Sequence, residues 1–175
     1  MKIRDMHEYI SATKQFKEFI AENPDSYFGA GFFIINLEDN DSSQRHLDYY
    51  LPSTKKIASF DLMGNFKISE QLVERPLEPI DEVRLSVDEV VEIVNKELEK
   101  REINVKLQKV IAVLQKKDME LSWNLSCILS NTDFAKMRIK DLDSSIVKFE
   151  MINLRDLISV RKKGKFEDGT EGNLE

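Results

Sequence analysis

The strongest constraint on the fold is that one pattern occurs twice: an amphipathic helix, a strand, a turn, a strand, a turn and a strand. A shift of 78 residues carries Leu47, Tyr49 and Leu51 onto Leu125, Cys127 and Leu129. The shift is about 81 at the helix starts, where the capping-box pair Asp5 and Glu8 corresponds to Ser86 and Glu89. It grows after the second strand, where the later copy has an extra strand. The duplication is therefore degenerate. It implies an α+β chain of two units, each a helix packed on an antiparallel sheet of three to four strands.

In the first copy, Met6, Tyr9, Ile10, Thr13, Phe16, Phe19 and Ile20 recur on one face and predict a single helix ending near Asn23, which precedes Pro24. The run Phe32 to Leu37 is too short for a helix and rich in β-formers. The turn "DNDSS" superficially resembles a calcium loop, but Gln44 stands where Gly is needed and Tyr50 where a bidentate Glu is needed. "RHLDYYL" and "KKIASFDL" then form a hairpin around Pro52 and Ser53.

Residues 65–85, with two prolines, many acids and weak periodicity, form the expected acidic linker between a first unit at 1–64 and a second at 86–160. In the second unit Val87, Val90, Val91, Val94 and Leu98 make the helix stripe. "LQKVIAVLQ", "SWNLSCIL", "FAKMRIK" and "IVKFEMI" are its strands, and "NLRDLISV" fits a short helix or an edge strand. Residues 161–175 are a charged tail in which "RKKGK" is cancelled by the acids that follow.

Phe16, Phe19, Tyr49, Val94, Trp123 and Leu125 are the expected heaviest core contributors, at about 1.5–3 kcal/mol for each large apolar side chain buried. A lone cysteine, Cys127, excludes an internal disulfide and reads as a small buried apolar residue. With net charge −6 the overall field repels nucleic acid and anionic lipid. The N-terminus has no signal-peptide apolar region, and no run approaches the about 20 apolar residues of a membrane span, so a cytoplasmic protein is expected.

"WNLSCIL" followed by "FAKMRIKDLDSSIV" is similar to the PepSY pattern of a Trp-led strand, an alternating strand, a D-x-x-T-G-x-V turn and a last strand. Asp141, Ser144 and Val147 match that turn, and Ser145 stands in place of its Gly. The first copy keeps Thr54 and Ile57 of the turn, with Leu51 in place of the Asp. Across residues 6–155 the chain resembles cytoplasmic archaeal proteins built from tandem PepSY-like units. The resemblance implies a cystatin-like helix-on-sheet fold, used in relatives to bind or restrain other proteins.

With Leu47, Tyr49 and Leu51 inward, His46, Asp48 and Tyr50 are expected on the open side of the sheet, about 7 Å apart along the strand. That is too far for a backbone-fixed His–Asp hydrogen bond, and they read as a polar outer face or a partner surface. His7, the other histidine, is distant in sequence, so no metal site is expected. No phosphate loop, nucleophile elbow or zinc-protease motif occurs, and no cofactor is expected.

The leading expectation is a non-enzymatic module, monomeric or homodimeric, that engages another protein through an open sheet face, a sheet edge or the linker. The alternative is a small-ligand binder or enzyme with a pocket between the units, where His46, Tyr50 and the linker converge. A further alternative is a secretion-chaperone-like scaffold, which would be an obligate dimer.

Overall fold

In the computed structural model, which describes residues 1–70 and 75–156, eight strands form one antiparallel sheet. The first half supplies β1 (Tyr27–Asn36), β2 (Gln44–Leu51), β3 (Lys56–Asp61) and β4 (Phe66–Glu70). The second supplies β5 (Lys109–Lys117), β6 (Glu120–Ile128), β7 (Asp133–Lys140) and β8 (Ile146–Asn153). The spatial order is β4-β3-β2-β1-β5-β6-β7-β8. The halves meet at β1 and β5, where Phe33 lies opposite Ala112. The chain is thus α+β with a single continuous sheet.

Strand β4 corrects the linker boundary at residue 65, and each half has four strands rather than the second alone having an extra one. Residues 66–70 do alternate, Phe66 and Ile68 against Lys67 and Ser69, but over few positions; β4 is an edge strand, exposed throughout, whose Phe66 stacks 4.7 Å from Phe60. Leu154 to Asp156 are helical, while the rest of the expected terminal element and the charged tail lie outside the described residues.

The first helix is also two. Helix α1 (Ile3–Ala12) begins a turn earlier than expected, because Asp5 accepts the backbone N–H of Lys2. Thr13 leaves helical geometry, and its hydroxyl accepts from Phe16 N–H to cap α2 (Lys14–Glu22). The break turns Tyr9 outward, 62% exposed, while Met6, Ile10, Phe16 and Phe19 go into the core.

Helix α3 (Val87–Lys100) starts at the expected capping box: Ser86 Oγ accepts Glu89 N–H, and the Glu89 carboxylate accepts Ser86 N–H at 2.7 Å. All three helices bury their stripes in one cluster on one face of the sheet. Under α1 and α2 the rings of Phe16, Phe19, Tyr49 and Phe60 pack edge to face, and Trp123 lies 5.6 Å from Phe33 near the seam between the halves. The six expected core residues are all buried.

The segment after the undescribed residues hooks around one end of the sheet. Leu77 lies on the face away from the helices, over Gly29, where an added methyl would come within 2.8 Å of Leu77 Cβ. Glu78 accepts the N–H groups of Asp118 and Met119, the two positive-φ residues of the β5–β6 turn. Ile80 then donates its N–H to Phe28 and enters the main core.

Candidate functional site

Alternation along the strands decides which side chains face away from the helices. On β2 Leu47, Tyr49 and Leu51 are buried under the helices, so His46, Asp48 and Tyr50 share the other face. The structure does not leave all three open. Tyr50 is buried with Ala30 and Leu77, its ring 5.6 Å from that of Tyr27, whose hydroxyl donates to Leu77 O. A local strand reading missed this cover because it comes from 27 residues downstream.

Asp48 is partly buried and accepts the Ser59 hydroxyl at 2.5 Å from the neighbouring β3. Burial raises its carboxyl pKa, against the Ser59 hydrogen bond and the nearby His46. His46 lies beside the Phe32 ring, 6.5 Å between centroids. Among the described residues no hydrogen bond joins His46 to Asp48 or Ser59.

The centre of this outer face is apolar. Phe32 and Ile34 on β1 pair with Val113 and Ile111 on β5, and all four are only half-buried. Beyond a row of small polar residues on β6 comes a basic margin: Lys136 and Arg138 on β7 and Lys148 on β8, all exposed, with Lys148 paired to Glu150 at 3.4 Å. A chain of net charge −6 therefore carries a basic, aliphatic sheet face. Among the described residues, Leu77 and its neighbours are the cover on this side.

A cavity of about 560 Å³ lies on the helix side, between α1 and residues 80–84. Its apolar wall is Ile3, Phe28, Ile80 and Val83, and its rim carries Lys2, Arg4, Arg84, Asp81 and Glu82. The hooked segment therefore does line a pocket, but neither His46 nor Tyr50 does, since both face the opposite side of the sheet. His7 lines it instead.

The Nδ1 atom of His7 lies 2.5 Å from the hydroxyl of Tyr49. Burial raises the pKa of this 2%-exposed phenol. Burial also lowers the His7 pKa, opposed by the charge of Glu8, so the ring favours its neutral form. The sequence signal for this role is the spacing Ile3, Met6, His7, Ile10, which places His7 beside the buried stripe.

No protein-family model matches the chain, and no curated protein matches it in sequence. Among solved structures, the chain is similar to a lipoprotein candidate from Clostridium difficile 630. The TM-score is 0.51 at 10% identity, over 77% of this chain and 88% of that one, a likeness of fold.

Proposed function

We propose that the chain is a non-catalytic protein-binding module, built as a tandem of PepSY-like units joined edge to edge, that engages a partner protein through the outer face of its sheet. The observation that carries this reading is the partial exposure of Phe32, Ile34, Ile111 and Val113 at the centre of a sheet whose helices α1, α2 and α3 lie on the other side. Apolar patches of this kind, rimmed by polar groups, are a common property of protein interfaces. The basic margin of Lys136, Arg138 and Lys148 suits an acidic partner. His46 and Asp48 border the patch, whereas Tyr50 belongs to the packing beneath Leu77.

The test is affinity capture from extract of the source organism, comparing the wild type with Ile111→Glu/Val113→Glu and with a helix-side control, Glu18→Lys. A partner held by the wild type and the control but lost by the double variant supports the reading, provided circular dichroism shows the variant folded. Capture unaffected by the double variant, or no specific capture, refutes it.

A further inference from the structure

We infer that the cavity between α1 and residues 80–84 is a binding site for a free α-amino acid with an apolar side chain. The inference does not depend on the protein-binding face, which lies across the sheet.

Three features of the cavity point to that chemistry. First, its volume of about 560 Å³ falls in the range of small-molecule sites and exceeds what one side chain needs. Second, its rim holds charges of both signs that leave each other unpaired: Lys2, Asp81 and Glu82 make no ion pair within 4 Å among the described residues, and Arg84 reaches only Leu142 O, at 3.5 Å. Opposite charges held around one cavity without closing on each other present separate contacts to a ligand carrying both. Third, Tyr49 engages His7 Nδ1, which leaves Nε2 of this cavity-lining ring without a hydrogen-bond partner among the described residues.

A zwitterion satisfies all three. Its carboxylate would pair with Lys2 or Arg84, its ammonium with Asp81 or Glu82, and a further polar contact would come from His7 Nε2, with the side chain on the wall of Phe28, Ile80 and Val83. A simple anion would leave the two carboxylates facing it, and a simple cation would face Lys2 and Arg84.

The experiment is a titration of ¹⁵N-labelled full-length protein with L-phenylalanine, L-leucine, L-isoleucine and L-methionine, following backbone amides by NMR. At least one is expected to give saturable shifts centred on residues 80–84 and His7. 3-Phenylpropanoate, which lacks the ammonium, and phenethylamine, which lacks the carboxylate, should bind at least tenfold more weakly than L-phenylalanine if that is the ligand bound, with the desamino and decarboxy forms of leucine, isoleucine or methionine serving otherwise. Lys2→Ala/Arg84→Ala and Asp81→Asn/Glu82→Gln should each weaken binding about tenfold while leaving the amide spectrum elsewhere unchanged. No saturable shift with any of the four amino acids overturns the inference, as does equal binding of the truncated analogues or shifts centred on the outer sheet face.

Discussion

The indole N–H of Trp123 donates to the buried carboxylate of Asp141 at 3.0 Å, and the same carboxylate accepts the backbone N–H groups of Arg84, at 2.7 Å, and Leu85, at 3.1 Å. Asp141 is 3% exposed. One side chain at the end of β7 therefore satisfies a β6 core residue and fixes the chain as it enters α3. Buried carboxylates survive when hydrogen bonds replace their hydration, and this one has three donors.

Replacing Asp141 with Ala should cost about 3 kcal/mol or more, because three donors lose their acceptor at once. Urea unfolding followed by Trp123 fluorescence measures it. Asp141→Asn, which retains one acceptor oxygen, should fall between wild type and Ala. A loss below about 1 kcal/mol for Ala would mean that water replaces the carboxylate.

The His7–Tyr49 contact predicts a pH dependence. A histidine whose folded pKa is lowered binds fewer protons folded than unfolded, so its contribution is fully present above the unfolded value near 6.5 and declines as pH falls toward the folded value. The wild type should therefore lose more stability between pH 7.5 and 5.5 than His7→Phe, as read by urea midpoints at the two pH values. Equal losses would show that His7 is not the titrating group.

Gly64 sits at φ +82 in the β3–β4 turn, against the break between α1 and α2. An added methyl would come within 2.7 Å of Thr13 Cβ. Gly64→Ala is expected to destabilise by about 1–3 kcal/mol from the left-handed backbone and the clash together. Thr13→Ala should cost about 1 kcal/mol through the lost cap of α2. The double variant should lose less than the sum, since Ala at position 13 relieves part of the contact. Thermal unfolding of the four proteins checks the cycle.

Cys127 is fully buried among the helix-side residues of the sheet, and burial pushes its thiol pKa up to about 12. A thiol-specific reagent such as DTNB should not label the native protein at pH 8 and should label one thiol per chain in urea. Rapid labelling without denaturant would contradict the packing around β6.

Legibility followed the range of the interaction. The stripe of α3, its capping box and the alternation on β2, β6 and β7 were plain because each depends on residues a few positions apart. The break at Thr13 was not, because steps of three and four residues link Met6, Ile10, Thr13, Phe16 and Phe19 into an apparent stripe, although Ile10 and Phe19, nine residues apart, would lie on opposite sides of one continuous helix. Strand β4 was hidden because its alternation is confined to Phe66 and Ile68, next to an acidic segment with two prolines. The outward placement of His46 and Asp48 could be read from alternation, but the burial of Tyr50 could not, since Leu77 covers it from outside the hairpin.

The sequence by itself determined the α+β class, the helices and strands along the chain apart from β4 and the break at Thr13, and the heaviest core residues, because these follow from local hydrophobic period and capping chemistry. The tertiary structure alone decided that β1 pairs with β5 to make one sheet, that His7 meets Tyr49, and that residues 77–85 hook around the sheet end to build a cavity with α1. Those contacts join positions 42 to 80 and more residues apart, and no short-range pattern encodes them. They depend on which surfaces remain to be buried once the local elements have formed.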